Sequence, residues 1–394
     1  MTSDSVFRIG LLRLTDAAPL IVARELGYFA GEDVEVALSL EPSWANIADK
    51  LAYGLIDGAM LLPPLALALG LGLSGGGGPE AIVVPAALSL NGNTVTLAER
   101  WAAPVLGGDG TVTAAEAARR LRAVIRERGE KPVLAVVHTF STHNLLLRYW
   151  LAAGGIDPDR EVTFTVVPPA ETADALAAGK IDGFCAGAPW GEVAARAGTG
   201  RAVATSHAIW NHGVEKVLAV RRRVAEETPD RLQAALRALL RAAAYCDDPA
   251  NAPTVAQILA HDRYLGLPPQ IILTSLPGAA ARNAEAFPRN ADVSVFFANA
   301  ATFPWPSQAQ WFLREMRRWG YVEADIDTHA ASAIFRPDLY RRAAGSLGLA
   351  VPAISIKSEG RHSRGWVLPG SPAPIPMEPD RFIDDAVFDP IGPR

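Results

Sequence analysis

The chain has 394 residues, of which 49% are hydrophobic and 20% are charged, so it can bury a large core and is not disordered as a whole. Its net charge of −5 argues against a general nucleic-acid-binding protein, which needs a basic surface for phosphates. The length favours two lobes over one small core.

The compartment is predicted from the N-terminus and the cysteines. Residues 1–5 contain no basic residue, and no apolar stretch with a cleavage site follows them. The apolar run 61–73 contains two adjacent prolines, which favours a buried helix over a membrane span. Cys185 and Cys246 suit a reducing environment and form no disulfide framework. We therefore expect a cytoplasmic protein.

Strands and helices alternate through the first third of the chain. Ser43 is predicted to cap a helix over 44–53, and Thr113 with Glu116 forms a capping box before another. The dipeptide Asn91-Gly92 predicts a tight turn between two paired strands. The predicted strands are 7–12, 34–40, 57–61, 80–90 and 94–97, and the predicted helices are 17–26, 44–53, 63–73 and 113–127.

The stretch 131–188 predicts a β-α-β-α-β unit, with strands at 133–137, 162–167 and 181–186. Alternating strands and helices are typical of a parallel sheet, in which ligands bind outside the carboxyl ends of the strands. Helix N-termini at that edge present unpaired N–H groups. Thr142 and His143 lie in the first turn of the helix that Ser141 is predicted to cap. We predict that this turn forms half of an anion site.

The remaining segments complete a two-lobed prediction. The chain is expected to cross between lobes near Asn93 and near Lys216, so that residues 1–93 and 217–394 form one lobe and residues 94–216 the other. The alternative is a single doubly wound domain. Strands are predicted at 203–206 and 216–220, helices at 229–246, 252–260, 268–276, 306–319 and 337–344, and from residue 365 an extended arm on the body or a partly disordered tail.

Three residues are candidate ligand contacts, each with a simpler alternative. Trp44, at a helix start, supplies either an indole wall for a polar pocket or ordinary packing. His143 is either an anion contact or a locally bonded capping residue. Lys216 is one of five lysines against 32 arginines, and it begins an apolar strand, where a charge needs a partner. The alternative for Lys216 is a solvated strand end.

Catalytic motifs are absent from the sequence. It contains no phosphate-binding glycine loop, no Gly-x-Ser-x-Gly elbow, no His-x-x-x-His pair and no Cys-x-x-Cys pair. We therefore predict a protein that is not an enzyme and that needs no cofactor or metal.

Six separated segments resemble one known family. They are PLIVARELGYFAGEDVEV, EPSWANIADKLAYGLIDGAML, LSLNGNTVTL, THNLLLRYWLAAGGIDPDREV, VVPPAETADALAAGKIDGFCAGAPW and IWNHGVEKVLAV. They are similar to the nitrate- and bicarbonate-binding receptors of ABC transporters, the NrtA/CmpA-like family. The resemblance implies an α/β, type II periplasmic-binding-protein fold, with two βα lobes and a ligand cleft at a two-strand hinge.

The resemblance also implies the ligand contacts. The tryptophan, glutamine, histidine and lysine that hold the anion in nitrate receptors correspond to Trp44, Asn93, His143 and Lys216, with Thr142 beside the histidine. Asn93 keeps the amide but is one methylene shorter. The family's Gly-Glu-Pro-Trp motif is Gly-Ala-Pro-Trp at 187–190, so its carboxylate is lost, which disfavours a calcium-assisted bicarbonate site.

Within this family, the chain resembles the NasS-type cytoplasmic nitrate/nitrite sensors, because its sequence shows no export signal. These proteins hold a NasT-like RNA-binding antiterminator and release it when they bind their anion. We therefore expect a cytoplasmic nitrate/nitrite sensor. The alternatives are the substrate-binding component of an ABC transporter for nitrate or another small anion, a taurine- or sulfonate-type receptor, and a pyrimidine synthase of thiamin biosynthesis, which would need a histidine cluster and an iron site that the sequence does not show.

Overall fold

The structure is a computed structural model that describes residues 6–74, 78, 81–107, 112–279 and 294–391. Its α-helices are α1 Ala18–Glu25, α2 Trp44–Ala52, α3 Pro63–Gly70, α4 Glu99–Leu106, α5 Ala114–Arg128, α6 Thr142–Ala153, α7 Thr172–Ala177, α8 Trp190–Arg196, α9 Ser206–Ile209, α10 Arg222–Glu227, α11 Pro229–Asp247, α12 Ala252–Ala260, α13 Pro269–Ile272, α14 Pro306–Arg318, α15 Thr328–Ile334 and α16 Pro337–Ser346. Its strands are β1 Phe7–Leu11, β2 Val36–Leu40, β3 Gly58–Leu61, β4 Ile82–Leu90, β5 Asn93–Ala98, β6 Val133–Val136, β7 Thr163–Val166, β8 Gly183–Gly187, β9 Gly200–Thr205, β10 Val214–Arg221, β11 Val351–Pro352, β12 Trp366–Leu368, β13 Gly370–Ser371 and β14 Ile375–Met377.

Two five-stranded mixed sheets organise the body. The first has the order β2-β1-β3-β10-β4, with β1 parallel to β2 and β3, and β10 antiparallel to β3 and β4. The second has the order β7-β6-β8-β5-β9, with β6 parallel to β7 and β8, and β5 antiparallel to β8 and β9. The predicted α/β architecture with two lobes is therefore confirmed.

The chain crosses between the sheets at Asn91-Gly92, where a hairpin turn was expected. That expectation is wrong, because β4 pairs with β10 in the first sheet and β5 pairs with β8 and β9 in the second. Both residues have positive φ, 59° and 85°, as their types favour, but here they direct the chain into another lobe. The second crossing lies between Thr205 and Val214. The lobe boundaries proposed from the sequence stay a prediction; Asn93 begins β5 of the second sheet, and Lys216 lies in β10 of the first.

The predicted buried helix within 61–73 is confirmed as α3, all of whose residues are buried. Among the residues that the structure describes, no helix has the length and apolarity needed to span a membrane. The predicted helix over 268–276 is shorter than expected, since α13 ends at Ile272 and a 3-10 turn, Leu273–Ser275, follows it.

The C-terminal segment 351–391 lies on the body as an arm. For the tail from residue 365, the sequence had allowed either such an arm or partial disorder. Inside it, β11 pairs with β13 and β12 with β14. The ring of Phe382 stacks on Trp210, at 5.2 Å between centroids, and on Trp311, at 5.6 Å. The backbone N–H of Ile383 donates to the carbonyl of Ile209 at 2.9 Å. The arm thus packs both on the second crossing and on α14.

Candidate anion-binding site

Two helix starts meet at the site, and each is set by its cap. The hydroxyl of Ser43 accepts the N–H of Asn46 at 3.2 Å, so α2 begins at Trp44. The hydroxyl of Ser141 accepts the N–H of Asn144 at 3.0 Å, so α6 begins at Thr142. Both predicted caps are confirmed. They could be predicted because a capping side chain bonds to a backbone N–H only three residues further along the chain.

Lys216 lies fully buried between these helix starts, so the solvated strand end is wrong. Its Nζ lies 2.6 Å from Oε1 of Glu215, 3.4 Å from Oδ2 of Asp16 and 5.7 Å from the centre of the Trp44 ring. Burial alone lowers the pKa of Lys216, but the two carboxylates outweigh it and hold the pKa above its ordinary value. The ammonium therefore stays charged at neutral pH.

A β-bulge explains how two consecutive residues of β10 reach the same cluster. Val214 pairs with Leu90 and Lys216 pairs with Ser89, so Glu215 is an extra residue on its strand. Side chains alternate between faces in a regular strand, whereas a bulge re-aims them. The sheet irregularity thus places Glu215 beside Lys216.

Glu215 links the lysine to the histidine. Its Oε1 lies 3.4 Å from Nε2 of His143, and its Oε2 has no hydrogen-bond partner among the residues that the structure describes. Burial raises the pKa of Glu215 to about 7, and the charge of Asp16 adds to the rise while Lys216 opposes it. This carboxyl group therefore changes its protonation near neutral pH.

His143 is buried completely and is neutral. Burial lowers the pKa of His143 well below its ordinary range, and the charge of Lys216 lowers it further. A neutral imidazole offers one N–H donor and one acceptor nitrogen. His143 can therefore orient a ligand, but it brings no positive charge to the site.

Asp16, Asn93 and Gly187 close the cluster where the lobes touch. Oδ1 of Asp16 accepts a hydrogen bond from Ser89 at 2.6 Å. The amide of Asn93 lies buried beside Glu215, and neither of its polar atoms has a hydrogen-bond partner among the described residues. A methyl group added at Gly187 would lie 3.1 Å from Oδ2 of Asp16 and 3.5 Å from Oδ1 of Asn93. The absence of a side chain at Gly187 is what allows the side chain of Asp16 to approach the second sheet.

Buried side-chain polar atoms without hydrogen-bond partners in the described ranges cluster at the site. They are Nε1 of Trp44, Oγ1 of Thr142, both ring nitrogens of His143, both amide atoms of Asn93, Oδ2 of Asp16 and Oε2 of Glu215, and all six residues are at most 1% exposed. Buried polar atoms are nearly always bonded, so such a group of atoms indicates a place for a polar ligand. The buried Trp101, Trp210 and Trp311 also lack acceptors for Nε1 in the described part of the chain, so ordinary packing stays the alternative for Trp44.

Only some of the polar side chains at the start of α6 are available to a ligand. Ser141 donates to the carbonyl of His138 at 2.6 Å. The amide nitrogen of Asn144 donates to the carbonyl of Thr139 at 2.8 Å and to the hydroxyl of Tyr321 at 2.9 Å. Local bonds therefore occupy Ser141 and Asn144, which leaves Thr142 and His143 for a ligand.

A model of the NMT1-like family matches residues 3–260. The nitrate/nitrite binding protein NrtA of Synechocystis sp. is 31% identical over 400 residues, which cover 98% of this chain and 83% of the relative. This chain belongs to the NMT1-like family and is a relative of the substrate-binding protein NrtA. The crystal structure of the periplasmic nitrate-binding protein NrtA from Synechocystis is 28% identical, with a TM-score of 0.84 and coverage of 98% of this chain and 96% of that chain.

Other members of this group are longer. The nitrate import ATP-binding protein NrtC of Synechocystis sp. is 36% identical over 347 residues, which are 86% of this chain but 50% of the relative. This chain thus spans about half the length of that protein. The alkanesulfonate-binding protein SsuA from Xanthomonas axonopodis pv. citri shares the fold, with a TM-score of 0.59 at 15% identity. The predicted periplasmic-binding-protein fold is confirmed.

Four of the five predicted site residues come together: Asn93, His143 and Lys216 lie around Glu215, and Trp44 lies against Lys216. Thr142 is buried next to His143 in the chain, and its hydroxyl is unpaired in the described part of the molecule. Their roles in binding stay predictions.

The two acids of the site, Asp16 and Glu215, were not predicted from the sequence. In a regular strand, alternation directs Glu215 to the opposite face from Lys216. The one available signal for Glu215 was its position next to Lys216. Within the described residues, no group of three or more His, Cys, Asp or Glu side chains is arranged to hold a metal ion.

Proposed function

We propose that this chain is a non-catalytic receptor that binds nitrate or nitrite between its two lobes. The observation that carries the proposal is a fully buried ammonium, Lys216, facing the unpaired donors of Trp44 and His143 in one cluster. Nitrate has one dispersed charge and three acceptor oxygens, so an ammonium and several neutral donors match its needs. The names of the NrtA relatives, nitrate/nitrite binding proteins, support this ligand class.

Ligand access requires the lobes to separate, since Trp44, His143 and Lys216 are completely buried. Two contacts hold the lobes together beside the site: Nε1 of Trp190 donates to the carbonyl of Arg13 at 3.1 Å, and the N–H of Thr15 donates to the carbonyl of Ala188 at 2.9 Å. An anion that contacts both lobes favours the closed form by its differential affinity. Binding would then change the surface that the protein presents to other molecules.

The output of binding is proposed to be sensing in the cytoplasm. In this proposal the open form holds a NasT-like antiterminator and the anion releases it, since a partner that prefers one form is linked reciprocally to the ligand. Cys185 and Cys246 are both free and buried, which suits a reducing compartment and supports this role. The alternative is delivery of the anion to an ABC transporter, which the similarity to NrtA also supports.

Calorimetric titration with nitrate tests the site and the ligand. We expect Lys216→Ala to weaken binding by about a hundredfold or more, because truncating one partner of a buried charge pair costs roughly 2–5 kcal/mol. The control is Lys131→Ala, which removes an exposed lysine. Equal affinity in the wild type and Lys216→Ala would reject the site. Failure of the wild type to bind nitrate and nitrite, with taurine binding instead, would reject the ligand.

A separate experiment tests the sensor role. The purified protein is immobilised and mixed with the antiterminator from the same genome, with and without nitrate. Sensing predicts capture without nitrate and release with it, and it predicts that Lys216→Ala captures the partner but no longer releases it. Cell fractionation that places the chain outside the inner membrane would favour the transporter alternative.

A further inference from the structure

The charge balance of the cluster conflicts with anion binding when both acids are ionised. Lys216 brings one positive charge, Asp16 and Glu215 bring two negative charges, and the imidazole of His143 is neutral. These four side chains are at most 1% exposed, so solvent does not screen the charges. A nitrate ion beside Lys216 would add a further negative charge next to Glu215. Something must neutralise one of the acids.

The two acids differ in the donors that reach them. Asp16 accepts a hydrogen bond from the hydroxyl of Ser89 on Oδ1 at 2.6 Å, and its Oδ2 lies 3.4 Å from Nζ of Lys216 without a hydrogen-bond partner in the described ranges. Glu215 uses Oε1 for Lys216 and His143, whereas its Oε2 has no hydrogen-bond partner in the described ranges. A proton on Oε2 would remove the excess charge and create an O–H donor. Nitrate offers only acceptors, so this donor suits it.

We infer that binding of nitrate at this site is coupled to the uptake of one proton by Glu215, which makes Glu215 the residue that selects anions by their proton content. The inference rests on the proposed function. An anion without a proton, such as nitrate, needs the protonated acid. A hydrogen-bearing oxyanion, such as hydrogencarbonate, can instead donate its own proton in a hydrogen bond to the ionised acid. Acidic conditions therefore favour nitrate, and alkaline conditions favour the hydrogen-bearing anion.

The surroundings of Glu215 support this assignment. It is faced by Lys216 from its own strand, by Asp16 from the turn before α1, by His143 from α6 and by Cys185 from β8. Burial, together with the charge of Glu215, raises the pKa of the Cys185 thiol, so the thiol stays neutral. The pKa of Glu215 itself, raised by burial to about 7, brings its protonation within reach of neutral pH.

The test is the pH dependence of nitrate affinity, since nitrate keeps its charge throughout the range. Calorimetry at pH 6, 7, 8 and 9 should show the nitrate affinity falling by about tenfold per pH unit above about pH 7. At pH 8, binding enthalpies measured in buffers of different ionisation enthalpy should show that about one proton is taken up for each nitrate bound. Glu215→Gln should bind with a pH-independent affinity that exceeds the wild-type value at pH 8. Asp16→Asn removes a negative charge beside the same lysine, and it should keep the pH slope.

The outcomes separate the inference from the proposed function. Equal wild-type affinity from pH 6 to pH 9, without proton uptake, overturns the inference and leaves the receptor function standing. A flat profile in Asp16→Asn, with the slope kept in Glu215→Gln, also overturns it. Absence of nitrate and nitrite binding at pH 6 overturns both. If Glu215→Gln does not fold, two other measurements decide whether the inference holds. They are the proton uptake by the wild type and the pH dependence of the nitrate affinity of Asp16→Asn.

Discussion

Glu215 and Lys216 are consecutive residues whose side chains meet, with Nζ of Lys216 2.6 Å from Oε1 of Glu215. A regular strand would direct them to opposite faces of the sheet. The bulge in β10 opposite Leu90 and Ser89 removes this alternation, so the carboxyl group of Glu215 and the ammonium group of Lys216 both lie in the buried cluster. A local irregularity of pairing therefore sets the charge of the site, and the following predictions build on that arrangement.

Trp44→Phe should weaken nitrate binding by about tenfold, because it keeps an aromatic ring but removes the buried Nε1 donor, and a hydrogen bond contributes about 1–1.5 kcal/mol. The control is Trp101→Phe, which removes another buried indole from α4 in the second lobe. Calorimetric titration at pH 6 measures both variants. An unchanged affinity in Trp44→Phe would show that the indole only packs.

Gly187→Ala should weaken nitrate binding. The added methyl group would lie 3.1 Å from Oδ2 of Asp16, so either that side chain or β8 must shift, and the positions of the site donors shift with it. The matched control is Gly31→Ala, where a methyl group would meet open space. Calorimetry gives the affinity and thermal unfolding gives the stability. Equal nitrate affinities in the two variants would show that the close approach at Gly187 has no part in binding.

Phe382→Ala should lower the free energy of unfolding by about 3–5 kcal/mol, the usual range for a buried phenylalanine. The ring is 3% exposed and stacks on Trp210 and Trp311, so its loss leaves a cavity between the arm and the body. Denaturant unfolding measures the effect. Ile391→Ala, at an arm residue that is 80% exposed, is the control and should change the stability little. A similar loss in both variants would mean that the arm is not anchored through Phe382.

The stability of the ligand-free protein should fall as pH rises from about 4.5 to about 7, in part because of Glu359. Burial raises the pKa of Glu359 from 4.5 to about 7, and Asp380 adds to the rise while Lys357 opposes it. An acid whose pKa is higher in the folded state stabilises the fold below the unfolded pKa, and this contribution is lost as pH rises through the folded pKa.

Thermal unfolding at pH 5 and pH 8 measures this effect. Glu359→Gln cannot ionise, so its midpoint should fall less between the two pH values than that of the wild type. The control is Glu323→Gln, which changes an exposed acid and should keep the wild-type dependence. The prediction fails if Glu359→Gln and the wild type lose stability in parallel.

Local chemistry made several features predictable from the sequence. Ser43, Thr113 and Ser141 cap the helices that follow them, because the bond runs to a backbone N–H three residues ahead. The parallel pairing of β6 with β7 and β8 was also predictable, because strands that alternate with helices along the chain are typical of a parallel sheet. Trp44 and His143 were found because each lies at one of these helix starts.

Tertiary structure alone decided the remainder. Asn91-Gly92 turns the chain as its residue types require, but only the pairing partners of β4 and β5 determine that the strands part into different sheets. The bulge that turns Glu215 toward Lys216 exists only in the pairing of β10 with β4, whose residues are more than a hundred positions apart in the chain. A charge pattern that depends on such distant pairing has no local signature, so the sequence predicted the lysine and the histidine of the site but not the acids between them.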